Sequence, residues 1–324
     1  IFCYSTDGTF RWKYSRQGRG PGNYLQLGDM HVQNDEVYAF DNLALKLIKL
    51  DTSGNFIKDL QIVRKNGFFP DELFVDANRD VILYNYDMGD YNYFPFEMTV
   101  LDPRCEKMLS YHFMKTHNPS IKRWATQLSP IQYYSNNKGF YFTKAMNDTI
   151  YGYENGVFSR KYVIDFGNNG IPEKVRQKKT YTLKDFSSST YEGNIERVIE
   201  NDSLVTFMFS KGNKLGYTFF DKQTLQSKSY AMTTFNINQY YQMLLPLGSW
   251  NGRIIASVQP LNVIGFCQYY KNNNPGLTDS QLDVKLQHEM PLIYAIRKKI
   301  SMNSNPMLVF ITMDRNKLFP NAKI

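Results

Sequence analysis

Apolar residues in this chain come in short runs, alternating or near-continuous, and many of the runs close on Asp, Asn or Gly. That spacing predicts strands joined by tight turns rather than long helices. The clearest group follows Gly18-Arg19-Gly20-Pro21-Gly22. A strand ending Val37-Tyr38-Ala39-Phe40-Asp41 leads to one ending Leu50-Asp51, and an Asp-Thr-Ser-Gly turn returns the chain through Phe56-Ile57. Glycine and Asp supply the backbone angles and local hydrogen bonds that such turns need. Residues 25–62 therefore read as four antiparallel strands.

The same order of parts recurs at the spacing of roughly 40 to 50 residues expected of a propeller blade. A second unit covers 72–114, a third 130–165 with the hairpin signal Glu154-Asn155-Gly156, and a fourth 193–232. The fifth, 241–270, is read as three strands, at 241–247, 252–258 and 263–269. A sixth is assembled across the ends of the sequence, from 305–313 and 1–15. The expected fold class is an all-β, six-bladed β-propeller in one domain, its last blade closed by N- and C-terminal strands, with 1–14 pairing with 307–312. Closure of that kind removes free sheet edges. One stretch breaks the pattern. Leu282, Leu286, Met290, Ile293, Ile296 and Ile300 recur at helical spacing, predicting a helical insertion near 278–302 that Thr278 or Asp279 caps and Pro291 kinks or divides.

Composition narrows the picture only slightly. The 324 residues suffice for a large all-β domain, and 24 Tyr with 23 Phe favour strands. A net charge of +8 admits anionic partners, although the basic residues are spread over many loops. No RNA-binding motif or helix-turn-helix pattern accompanies them, so nucleic acid is not expected. Cys3, Cys105 and Cys267 are too few and too scattered for a disulfide framework or a zinc cluster, and read as buried small hydrophobes. No run reaches the roughly 18 apolar residues of a membrane-spanning helix.

The Gly-Arg-Gly-Pro-Gly loop, the Val-Tyr-Ala-Phe-Asp strand, the Asp-Thr-Ser-Gly turn and the late Asn305-Pro306-Met307-Leu308-Val309 together give a family resemblance. The chain resembles an uncharacterised family of six-bladed β-propellers related to NHL repeats, of the type found in cell-envelope lipoproteins of gut bacteria. The resemblance implies a periplasmic or cell-surface protein, with a lipid anchor upstream of residue 1.

Catalytic patterns are weak. His288-Glu289 lacks the second His of a zinc motif, His112 and His117 have no metal-ligand spacing, and no Gly-x-Ser-x-Gly elbow occurs. Asp41, Asp76, Asp87 and Asp90 read as turn formers before glycosidic acids. The glycine-rich loop precedes a strand rather than a helix, which argues against a phosphate cradle. Loops between blades and between second and third strands emerge on one face. There Arg19, Tyr24, Arg64, Tyr91, Tyr93, Arg123, Trp124 and Arg176 form the candidate ligand-binding set, with Lys65 and Lys122 among further cations. The expected function is a monomeric binding or scaffold module for an anionic glycan, a peptide or an envelope protein. No catalytic residue, cofactor or metal is expected. The alternative is an enzyme: a glycan-active hydrolase or lyase, or a metal-dependent NHL-like lyase.

Overall fold

The computed structural model describes residues 1–5, 7–85, 94–114, 131–133, 139–144, 147–176, 185–186, 188–212, 214–232, 245–250, 252–301, 304, 307–312 and 318. The chain divides into two compact units, Ile1–Ile131 with Asn137–Phe186, and Gln132–Asn136 with Ser187–Ile324. In the first, a hairpin of β1 (Phe2–Tyr4) and β2 (Phe10–Lys13) precedes a sheet of β3 (Leu27–Gln33), β4 (Glu36–Asp41), β5 (Lys46–Asp51) and β6 (Phe56–Gln61). The next sheet is β7 (Pro70–Val75), β8 (Val81–Asn85), β9 (Phe96–Leu101) and β10 (Met108–Met114). A third, of β11 (Ile131–Tyr133), β12 (Gly139–Thr143), β13 (Thr149–Glu154) and β14 (Val157–Val163), begins where the two units divide.

The second unit contains β15 (Glu192–Glu200), β16 (Leu204–Lys211), β17 (Lys214–Asp221) and β18 (Ser227–Met232), then a sheet of β19 (Leu245–Trp250), β20 (Arg253–Val258) and β21 (Met307–Ile311). Within each sheet the strands follow chain order. Middle strands are covered on both faces and so carry continuous apolar runs, as in Val37-Tyr38-Ala39-Phe40 and Val81-Ile82-Leu83. Outer strands such as β14 are mostly exposed.

Adjacent sheets of the first unit share one core, where Tyr38, Phe40 and Leu47 meet Leu73, Val75, Leu83, Leu101 and Cys105. Polar bonds fix the contact. Asp29 accepts from the Leu73 amide at 2.8 Å, and Asp76 accepts from the Tyr153 hydroxyl at 3.0 Å. Cys105 and Cys267 are buried free thiols, as the sequence suggests, whereas Cys3, expected to be buried with them, is only half-buried on the N-terminal hairpin; burial pushes the Cys105 thiol up to about 12.

The turns depend on strand-end carboxylates. Asp41 is fully buried and accepts from the amides of Leu25 (2.7 Å), Gln26 (3.3 Å), Leu43 (3.2 Å) and Ala44 (2.9 Å), joining the entry of β3 to the β4–β5 turn. Asp51, Asp76, Asp102 and Asp221 bind backbone amides in the same way. Three or four residues beyond each Asp the backbone turns left-handed, at Leu45, Gly54, Arg79, Cys105 and Leu225.

Two expectations are overturned together. Residues 263–269 are not a strand: they lie within helix α1 (Pro260–Asn272), which starts with Pro260 at its first position and buries Val263, Phe266 and Cys267 at helical spacing. The vacant edge of β20 is instead paired with β21, Ile254 opposite Ile311 through Val258 opposite Met307. Met307–Ile311 is therefore the third strand of the fifth sheet, and the expected pairing of 1–14 with 307–312 is absent among the described residues. The N-terminal segment forms its own hairpin, Phe2 opposite Lys13 and Cys3 opposite Trp12. Five blade-like sheets are described, not six.

The insertion near 278–302 is helical as expected. Thr278 and Gln281 form a capping box at the start of α2 (Asp279–Glu289), and Pro291 divides it from α3 (Pro291–Arg297). Leu282, Leu286, Ile293 and Ile296 pack with Val258, Met307 and Val309 over the fifth sheet.

Removing the Asp41 carboxylate strands four backbone donors, so Asp41→Ala is expected to lower unfolding stability by about 3 kcal/mol, read from the urea midpoint. Leu225 is left-handed and 73% exposed, so Leu225→Gly should raise stability by about 0.5 kcal/mol in the same assay.

Candidate functional site

Because strands alternate in direction, the loop before β3, the β4–β5 turn and the loop after β6 meet at one end of the first sheet. Lys46 donates to the Gly20 carbonyl at 3.2 Å, Gln61 to Leu45 at 2.8 Å and Arg64 to Ala44 at 3.2 Å. The glycine-rich loop is built into this end. Gly22 donates to Asp59 at 3.1 Å, Lys46 pairs with the same carboxylate oxygen at 2.8 Å, and Tyr14 donates its hydroxyl to the Gly22 carbonyl. Gly22 is left-handed (φ 71°), and a Cβ there would lie 3.0 Å from the Phe56 ring. The loop is a seam between hairpin and sheet.

On this seam Arg19 is exposed, while Tyr24 is half-buried with its ring centroid 6.5 Å from that of Tyr14. Further along, Arg64 is joined by Lys65, whose ammonium lies 5.0 Å from the Tyr111 ring centroid and donates to the Tyr111 hydroxyl. Tyr111 stacks on Phe96 at 5.2 Å, and Phe69 stands exposed at the end of the loop that carries Lys65. Four residues of the expected set lie outside the described residues: Tyr91, Tyr93, Arg123 and Trp124. Arg176 sits elsewhere in the first unit and is engaged, bonding Asp148 at 2.7 Å and the Ile171 carbonyl at 3.0 Å. Burial, the largest single influence, would raise the Asp148 carboxyl, but the hydrogen bonds from Arg176 and Thr149 and the Arg176 charge together outweigh it and hold the group below its ordinary value.

Tyr111 was not foreseen, because nothing in its strand pattern distinguishes a ring that meets a cation from one that packs in the core. Two buried titratable groups were also missed. His31 in β3 lies with its ring centroid 4.6 Å from that of Phe74, and burial lowers its pKa to about 4, so it is neutral. Glu196 in β15 is only 7% exposed, and its carboxyl makes no hydrogen bond among the described residues. Irregular pairing flanks it on both sides, and Asn194 and Arg197 are left-handed, at φ 57° and 54°. Burial raises the Glu196 carboxyl to about 7, Arg197 opposing.

The strand-end acids Asp41 and Asp76 are committed to turns, as expected. Among the described residues no group of three or more His, Cys, Asp or Glu is placed to hold a metal ion, and no helix is long and apolar enough to cross a membrane. Near His288 and Glu289 the surface of α2 carries an open depression of about 540 Å³, also lined by Ser280, Gln281, Val284 and Lys285.

Successive antiparallel sheets, few helices and loops carrying cations beside aromatic rings define the chain as an all-β protein of the propeller class. It belongs to the domain-of-unknown-function family DUF4934, whose model matches residues 1–312. No curated protein matches its sequence. A Bacteroides fragilis protein provisionally described as exported has a similar structure, at 18% identity and a TM-score of 0.67, covering 97% of this chain and 84% of that one. Weaker likenesses are a Bacteroides vulgatus member of the DUF4221 family (6% identity, TM-score 0.47, 79% of each chain) and a Staphylococcus aureus virginiamycin B lyase (15%, 0.42, 80% and 69%). At these identities the likeness concerns the fold.

The raised Glu196 carboxyl gives a signed prediction. Its contribution to stability is fully present below pH 4.5, the ordinary value of the group, and is lost as pH rises through about 7. Relative to Glu196→Gln, the native chain should lose roughly 3 kcal/mol across that window, as the difference between their urea unfolding curves. Comparing the two proteins cancels the opposing titration of His31.

Proposed function

We propose that this chain is a binding or scaffold module of the bacterial cell envelope, a single six-bladed, NHL-like propeller that presents its loop-rich face to an anionic glycan, an acidic peptide or an envelope protein. It works as a monomer, without cofactor or nucleic acid, and a lipid anchor upstream of residue 1 holds it in place. The observation that carries this reading is the Lys65 ammonium set against the Tyr111 ring, on the loop that also bears Arg64 and exposed Phe69, at the end of the first sheet where Arg19 is exposed. Cations set over or beside rings bind carboxylates while the ring faces accept the apolar side of a sugar or peptide. The likeness to a protein described as exported supports the envelope location.

A second reading, a glycan-active hydrolase or lyase, draws on Glu196, since a buried acid with a raised pKa is the type of group that transfers protons in enzymes. Turnover of acidic glycans that disappears in Glu196→Gln would establish it over the binding module.

On an array of acidic and neutral glycans the native chain should bind the acidic ones, and raising salt from about 50 to about 500 mM should weaken that binding severalfold. Arg64→Ala with Lys65→Ala is expected to lower affinity by roughly tenfold, and Arg123→Ala with Lys122→Ala to lower it too. Binding indifferent to salt and to both pairs of variants would refute the basic-face reading.

A further inference from the structure

The N-terminal hairpin has two unlike faces. Pairing places Cys3 and Trp12 on one side and Phe2, Tyr4, Phe10 and Lys13 on the other, because directly opposed residues in an antiparallel ladder share a face. The Trp12 side is fastened to the first sheet. Its indole donates to the Thr52 carbonyl at 2.8 Å, and its ring lies so close to Gly54 that a Cβ there would be 2.7 Å away. Ile1, Trp12 and Tyr14 pack with Val37, Ala39, Ile48 and Leu50.

The opposite side is open. Phe2, Tyr4 and Phe10 are 57%, 53% and 54% exposed. Tyr4 and Phe10 meet edge to face at 5.8 Å, and the Lys13 ammonium lies 5.3 Å from the Phe2 ring. Three large rings on one small sheet face are a costly surface to leave in water.

Within the hairpin segment itself the charge is one-sided. Residues 1–19 contain Arg11, Lys13, Arg16 and Arg19 against a single acid, Asp7. Asp7 is turned to its own loop, accepting from the Ser5 hydroxyl and from the Thr9 amide at 2.9 Å. Rings of Phe and Tyr beside Lys and Arg form the combination that settles into the headgroup region of a bilayer, rings at the acyl boundary and cations among anionic headgroups.

We propose that the Phe2–Tyr4–Phe10 face of the hairpin docks on an anionic lipid surface, with Arg11, Lys13 and Arg16 contacting the headgroups and Trp12 holding the hairpin to the first sheet. This contact is independent of the glycan- or peptide-binding face and of any covalent lipid. It orients the module so that its first sheet stands next to the membrane.

The test is sedimentation of the 324-residue chain with phosphatidylcholine vesicles containing phosphatidylglycerol, against phosphatidylcholine alone. Binding should appear only with the anionic lipid, weaken with salt, and fall roughly tenfold or more in Phe2→Ser/Phe10→Ser. Arg11→Glu/Lys13→Glu should lose it as well. Leu308→Ser, which removes an exposed apolar side chain from β21, should bind like the native chain and controls for general stickiness. Absence of vesicle binding at low salt overturns the proposal, as does binding that the aromatic variants leave intact. A native chain that is dimeric by light scattering, made monomeric by Phe2→Ser/Phe10→Ser, would assign the face to a second copy and overturn it too. The substituted side chains are exposed, and circular dichroism of each variant verifies its fold.

Discussion

A buried carboxylate that gathers backbone amides at the end of a strand is the interaction on which the described structure depends. Asp41 is shut off from solvent, and four peptide N–H groups converge on its two oxygens. Such an arrangement satisfies a charge and several backbone donors at once, two obligations that would otherwise each oppose burial. It also determines geometry. The turn that follows is drawn tight enough for Leu45 to become left-handed, a conformation a branched side chain does not adopt unaided. Buried Asp76 and Asp221 repeat the device, Asp51 and Asp102 repeat its hydrogen bonds at more exposed turns, and the left-handed residue after these four is Gly only once, at Gly54.

From those turns follows the placement of the loops that carry the candidate site. With the β4–β5 turn held, Ala44 and Leu45 present carbonyls to Arg64 and Gln61, which places the loop after β6 beside the glycine-rich seam. Lys65 then reaches Tyr111 on the outermost strand of the neighbouring sheet. Arg64 is thus positioned by a backbone carbonyl and Lys65 by the Tyr111 side chain, and no ion pair of either to an acid is found among the described residues. Arg176 shows the contrast, because its guanidinium is engaged by Asp148.

Residues 263–269 show where reading by pattern fails. Val263, Phe266 and Cys267 form a helical stripe, but a short apolar run between turn residues is equally consistent with a strand. What decided the matter lay far along the chain: Met307–Ile311 pairs with β20, so the third-strand position was filled and the intervening segment was free to coil over the sheet. Glu196 is a second instance. It occupies an ordinary position in a strand-like sequence, and nothing there announces the irregular pairing on either side, the left-handed Asn194 and Arg197, or the burial of its carboxyl.

By itself the sequence determined the local and repeating features: the strand runs, the Asp-led turns, the boundaries of the first four sheets to within a few residues, and the capped helical insertion divided at Pro291. Those features rest on side-chain period and on hydrogen bonds between near neighbours, which are properties of contiguous residues. Tertiary structure alone decided that the C-terminal strand joins the fifth sheet, that the N-terminal hairpin rests on the first sheet through Trp12, and that Lys65 meets Tyr111. Each of these joins residues distant in sequence. A free strand edge or an exposed ring fits many partners almost equally well, and the choice among them is made by packing density and by which backbone groups would be left unpaired.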